Sequence, residues 1–228
     1  MVSGTETAGS LWTVLYKTAG VAALMTVFII PVQVIIFILF PFPANVAGWF
    51  ALFQNNWLAG LIDLDLLLVV DNVLFVPVFL ALYIALKRAS ESIMTIATAL
   101  GFLGLVLFIT FNPSFQMLSL SSQFAAATTD AEKSVLLAAG QVMLANWQGT
   151  AFQVAYFVGS ISGILMSAVM LRSPIFSKLT AYVGMLGNIV SLGLYVPVIG
   201  IYISVFSVLF LWIWYILIGI RLLRLGSR

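Results

Sequence analysis

The sequence predicts an all-α polytopic membrane protein of six transmembrane helices, and three observations carry that prediction. Charge is scarce: 7% of the 228 residues are charged and 63% are hydrophobic. A soluble domain carries about 25% charged residues, so this chain lacks the charge to cover a water-facing surface. Six apolar runs are each long enough to cross a hydrocarbon core of ~30 Å at a helical rise of ~1.5 Å per residue. Threading the chain through six crossings also sorts its basic residues. Lys17, Lys87, Arg88, Arg172, Lys178, Arg221, Arg224 and Arg228 fall on one side, and Lys133 alone on the other. Cytoplasmic loops carry the Lys and Arg excess. Both termini are therefore expected in the cytoplasm, with the protein in the cell membrane as one domain over residues 1–228.

The elements follow in order. Residues 1–10 are short, polar and small, and are expected to form a flexible tail. They lack the basic start of a secretory signal peptide. Span one is expected over residues 18–40. It contains Pro31, tolerable where neighbouring helices satisfy the freed carbonyl, and Thr26 and Gln33 share a face. Pro41 and Pro43 end it. Residues 45–57 are too polar to cross. Asn45 fits a helix cap, and Trp49, Phe53 and Trp57 recur every fourth residue, so an interfacial helix at the headgroup level is expected.

Span two, residues 66–90, closes on Lys87 and Arg88 and carries Asp71 and Asn72 inside an apolar run. The acids just before it, Asp63 and Asp65, are expected at the outer interface facing water or headgroups. Span three covers residues 93–111, and Asn112-Pro113 stops it. Residues 114–146 are too polar to cross. Within them Thr129-Asp130-Ala131-Glu132 fits a capping box, which predicts a helix over residues 130–146. Span four, residues 151–171, places Gln153, Tyr156, Ser160, Gly163 and Ser167 on a narrow arc, with Gly159 and Gly163 as a GxxxG pair. Span five, residues 179–199, puts Asn188, Ser191 and Tyr195 on one face. Span six, residues 201–220, is rich in aromatics expected to face lipid or pack. Asn56-Trp57 and Asn146-Trp147 each precede a span, a faint repeat.

The composition excludes several chemistries. With no His and no Cys, the chain cannot form disulfides, thiolate or His-based zinc sites, His- or Cys-held haem, or triads that need a His base. No metal, cofactor or catalytic residue is assigned. No basic-aromatic patch suggests nucleic acid. The expected partner is the lipid bilayer, and Gly159 with Gly163 offers a surface for a homodimer.

The candidate site is a set of polar residues at one depth. Counted from the inner end of each span, Gln33 lies ~22 Å up, Asp71 ~24 Å, Tyr156 ~24 Å, Ser191 ~20 Å and Tyr195 ~25 Å. Gln153 sits slightly higher, and Asn72 adjoins Asp71. Lipid cannot satisfy these groups, so they are expected to face inward. Such residues also join helices by hydrogen bonds alone, at about 1 kcal/mol or less each. An intramembrane acid marks a functional-site hypothesis. Binding or transport of a small polar or cationic ligand in an outer-leaflet pocket around Asp71 is the leading reading. A scaffold or accessory subunit acting through its outer loops is the alternative. An intramembrane enzyme, with Asp71, Asp63 and Asp65 as its candidate acids, is the weakest class, for want of paired-aspartate, H-E-x-x-H or G-x-S-x-G motifs.

The phrases LLLVVDNVLFVPVFLALYIALKRAS, FAAATTDAEKSVLLAAGQ, TAYVGMLGN and LGLYVPVIGIYISVFSVLFLWIWYILIGIRLLRLG resemble a prokaryotic family of multi-pass proteins, the domain of unknown function of 4386 type. The resemblance covers residues 66–226. It implies a six-helix integral membrane protein of prokaryotic origin and brings no activity or site residues with it.

Overall fold

The computed structural model describes residues 12–227, and the tail expected over residues 1–10 lies outside the described residues. The chain is all-helical, with no strand among the described residues. Its helices are α1 (Thr13–Leu39), α2 (Val46–Asn55), α3 (Trp57–Asp63), α4 (Leu66–Leu86), α5 (Glu91–Phe111), α6 (Ser114–Ala126), α7 (Asp130–Trp147), α8 (Thr150–Arg172), α9 (Lys178–Ser191) and α10 (Gly200–Leu225), with a 3-10 turn at Leu192–Tyr195.

Five helices are long and apolar enough to cross a membrane: α1, α4, α10 and one each within Glu91–Ala126 and Asp130–Arg172. The fifth expected span is not among them, because α9 has only 14 residues. Helix breakers explain its end. Val196 is extended ahead of Pro197 (φ −78°, ψ 122°), as a residue before proline prefers, and Val198 follows at φ 70°. Tyr195 thereby leaves the face of Asn188 and Ser191. It is 44% exposed, whereas they are 7% and 3% exposed.

The chain divides into two compact units, one of Met1–Phe28, Val73–Leu105 and Ala155–Arg228, the other of Ile29–Asn72 and Val106–Val154. The first is built on small residues. Ala19, Ala22, Ala81, Ala85, Ala97 and Ala181 are buried beside Leu82, Met94, Met166 and Leu222. Small side chains let helices approach closely, which is how packing replaces the hydrophobic drive in lipid. Gly163 shows the tolerance: a Cβ there would collide with the side chain of Asn188. The aromatics of α10 divide between roles. Tyr202 and Phe206 are exposed, while Trp214 is buried in this core.

The second unit has its own core of Val46, Trp49, Phe50, Phe53, Leu61, Leu64 and Met117, covered by Leu118, Leu136 and Leu144 from α6 and α7. This corrects the expected headgroup helix. Trp49 and Phe53 point into protein, at 3% exposure each, and Trp57 stands apart on α3 at 57%. The fourfold spacing was real, but what it faces is α6 and α7. Ser121 Oγ donates to the Phe50 carbonyl at 2.9 Å, and Gly140 lets α7 approach Val46 and Phe50. The capping box forms as the sequence indicates: Thr129 accepts from the Glu132 N–H, and Glu132 accepts from the Thr129 N–H.

Candidate functional site: a buried carboxylate pair between α3 and α4

The site begins with a break in the chain. The Asn56 backbone N–H closes α2 on the Leu52 carbonyl at 2.7 Å, and its side chain accepts from the Ala59 N–H at 3.1 Å to start α3. A polar cap of this kind makes a new helix cheaper than continuing the old one. α3 lasts seven residues. The Asp65 N–H then turns back onto the Ile62 carbonyl at 2.9 Å, and Asp65 adopts φ 66°. Asp is among the few non-glycine residues that visit this left-handed region. The Val69 N–H donates to the Asp65 carbonyl at 3.0 Å, which starts α4.

The turn is clamped from the start of α6. Asn112 Nδ2 donates to the Leu64 carbonyl at 2.7 Å, and Ser114 Oγ donates to the same oxygen at 2.6 Å. The residues that stop α5 thus also hold the acid turn.

Two carboxylates sit on this turn, and both are buried: Asp63 is 0% exposed and Asp65 8%. They had been expected to face water or headgroups. Residues distant in sequence close over the turn instead, Gln33 of α1 and Trp147 of α7 on Asp65 and Ser114 of α6 on the Leu64 carbonyl, which no local pattern around residues 63–65 encodes. Their surroundings differ. Asp65 Oδ1 accepts from Gln33 Nε2 at 3.1 Å, and its Oδ2 accepts from the Trp147 indole N–H at 2.7 Å. Neither oxygen of Asp63 has a hydrogen-bond partner among the described residues, and neither does Gln33 Oε1. Burial, and then the neighbouring charge of Asp65, pushes the Asp63 carboxyl up to about 7. Burial pushes Asp65 up to about 6, against the pull of its Trp147 and Gln33 hydrogen bonds. Three orphan acceptors in one network have two chemical remedies, a proton or a cation, because an unpartnered buried polar group costs about 1–3 kcal/mol. Lys133 is the unit's only basic residue.

The residues singled out from sequence fall into two sets. In the second unit Gln33 joins the acid network, and Asp71 is buried at 4% exposure. Asn72 donates to the Leu68 carbonyl at 2.7 Å within its own helix. Gln153 Nε2 reaches the Gln148 carbonyl at 3.4 Å. In the first unit the Tyr156 hydroxyl bonds Ser204, and Ser160 Oγ lies 2.8 Å from Ser191 Oγ. Ser191 donates onward to the Asn188 carbonyl at 2.7 Å. The Tyr195 ring packs edge-on against Phe157 at 6.1 Å. This hydroxyl chain satisfies itself, as helix-joining networks do. Gly163 is occupied by Asn188 of the same unit, whereas a Cβ on Gly159 would meet open space.

Sequence reasoning left Asp63, Asp65 and Trp147 out of the ligand site, weighing the two acids only for the enzymatic class. The available signal was the D-L-D pair set between a capped seven-residue segment and an apolar run. Among the described residues no group of three or more His, Cys, Asp or Glu gathers, so the donor set is thinner than divalent sites with several carboxylates. Comparison with protein families, characterised proteins and solved structures returns no match. The reading therefore rests on the geometry of the pair.

Proposed function

We propose that this chain is an integral membrane protein that binds a small cation at the Asp63–Asp65 pair, as a binding or transport module rather than an enzyme. One observation carries the reading: the Asp63 carboxylate is fully buried with neither oxygen hydrogen-bonded among the described residues, beside a second buried acid. Asp65, held by two N–H donors, supplies a fixed charge. Asp63, held by none, is the group a cation satisfies. The acid pair thus takes the central role that Asp71 held in the sequence reading, and Gln33 belongs to both.

The membrane arrangement belongs to the same proposal. Six crossings with both termini cytoplasmic, in the cell membrane of a prokaryote, account for eight of the nine Lys and Arg residues on one side. α9 and its 3-10 turn together rise ~29 Å, by ~1.5 and ~2 Å per residue, close to the ~30 Å of a hydrocarbon core. That supports counting them as a broken fifth crossing.

The test is thermal unfolding of the full chain in lipid nanodiscs at about pH 8, where both acids would otherwise be charged. Sodium, potassium and methylammonium are exchanged at constant ionic strength. One of them should raise the midpoint with concentration, as a ligand of the native state must, and Asp63→Asn should abolish the response. If no cation moves the midpoint and Asp63→Asn is simply more stable, the pair is a protonated structural feature and the proposal falls.

A further inference from the structure

We infer that the basic end of the first unit is a docking surface for anionic phospholipids, with a lipid phosphate at the level of Arg221 and Lys178 and its acyl chains along the apolar surface beside them. The inference is independent of the cation site and rests on the membrane part of the proposal above. Seven described Lys and Arg residues belong to this unit, against one described acid, Glu91. All seven stand near helix ends. Lys17 lies close to the start of α1, Lys87 and Arg88 follow α4, Arg172 ends α8, Lys178 opens α9, and Arg221 and Arg224 lie just before the end of α10. One core gathers these ends: Tyr16, Leu86, Leu171, Phe176, Leu222 and Leu225, each one or two positions from a cation, belong to the same apolar cluster. Neighbouring ends are also tied in turn. Only residues 173–177 separate Arg172 from Lys178. A Cβ on Gly184 would meet Trp214 and one on Gly187 would meet Leu211, so α9 and α10 run antiparallel in a register that sets Lys178 level with Ile220 and Arg221. A Cβ on Gly226 would meet Lys17, so α1 starts beside the end of α10. The charge of Arg88 in turn acts on the Tyr16 hydroxyl.

Two observations take this end beyond a signal of orientation. Arg221 Nε is buried without a hydrogen-bond partner among the described residues. An unanswered buried donor is costly, and the guanidinium fork matches phosphate oxygens. The apolar side chains next to the cations are also open: Leu179 is 62% exposed, Ile220 39% and Val14 75%. A soluble phosphate would answer the charge and leave that surface bare. A phospholipid covers both, with its phosphate on the cations and its chains on the apolar residues. Charge complementarity selects an anionic headgroup, since a choline headgroup brings a cation of its own to a surface already rich in them.

The experiment reads the thermal midpoint of the full chain in phosphatidylcholine nanodiscs as phosphatidylglycerol replaces part of the lipid, with sodium held constant so that any response at Asp63 does not change. The midpoint should rise with the anionic fraction and saturate, as a ligand of the native state requires. Glycerophosphoglycerol, the same headgroup without acyl chains, should produce no rise. Arg221→Gln should raise the half-saturating fraction about 5-fold, the scale of one basic contact with an anionic surface. Lys133→Gln, the same change of charge in the second unit, should leave it unchanged. Lys178→Gln, at an exposed position, repeats the test should Arg221→Gln fail to fold. If phosphatidylglycerol leaves the midpoint where phosphatidylcholine sets it, or if glycerophosphoglycerol raises it as far, the surface is not a lipid site and the inference is overturned. If Lys133→Gln weakens the response as much as Arg221→Gln or Lys178→Gln, the lipid senses net charge alone and the seat at Arg221 falls. Each of these failures leaves the cation site at Asp63 standing.

Discussion

Replacing Asp63 by Asn should stabilise the cation-free protein above neutral pH and leave it little changed in acid. The sign follows from linkage. The Asp63 carboxyl is raised in the fold, from 3.8 to about 7. A group raised in this way contributes fully below its unfolded pKa and loses that contribution as pH climbs through its folded value. Wild-type stability should therefore fall between about pH 4 and pH 7 and then level off. At ~1.4 kcal/mol per unit, the ceiling is about 4 kcal/mol. Sharing of the proton with Asp65 brings this to about 2 kcal/mol. For a chain of this size each kcal/mol moves the midpoint by roughly 2–4 °C, so Asn should gain about 4–8 °C near pH 8. The assay is thermal unfolding in nanodiscs across pH, in buffer free of small cations. Adding the bound cation should flatten the wild-type profile, because it supplies the charge that the proton supplied. A variant that is destabilised equally in acid and in base would refute the reasoning, since it would mean that Asp63 contributes contacts rather than a titrating charge.

Three further outcomes follow from named contacts. Trp147→Phe removes the 2.7 Å indole bond to Asp65; it should cost about 1.5–3 kcal/mol above pH 6, the range for a bond to a charged group, and fade in acid as Asp65 protonates, which unfolding at two pH values would show. Gly163→Ala drives a Cβ into the Asn188 side chain and should cost about 1–3 kcal/mol by overpacking, whereas Gly159→Ala, facing open space, should be neutral or slightly stabilising. Thr129→Ala breaks the capping box of α7 at about 1 kcal/mol, measured as faster amide exchange in its first turn.

Local chemistry in the sequence set the elements well, and tertiary cover set the site. The capping box at Thr129, the Asn112-Pro113 stop and the apolar run of α4 each act within a few residues, and each appears where the sequence indicates. Thr26 and Gln33 share a buried face of α1, at 2% and 4% exposure. Ser160, Gly163 and Ser167 turn inward together along α8. What failed was deciding which way a polar-flanked segment faces. Trp49 and Phe53 obey helical spacing whether the partner is lipid headgroups or protein, and periodicity cannot separate the two. Asp63 and Asp65 were read as outward-facing from their depth just beyond the outer end of span two. Asp65 is buried by tertiary partners, Gln33 and Trp147, which lie 32 and 82 residues away in sequence. The end of α9 was legible after all, in Gly193 and Pro197, but hydropathy outweighed them.

The asymmetry of the acid pair is the strongest argument that it is more than packing. A purely structural turn at residues 63–65 would be served by Asn or Ser, whose neutral side chains tolerate burial. Instead the chain carries two carboxylates and gives them unequal surroundings. Asp65 receives two N–H donors, and the left-handed backbone at its own Cα is held by the turn hydrogen bonds around it. Asp63 receives none. Burial raises both carboxyls, and the two N–H donors that favour a charged form belong to Asp65 alone. On the proposed reading, Asp65 is the fixed anion and Asp63 the member that exchanges a proton for a cation.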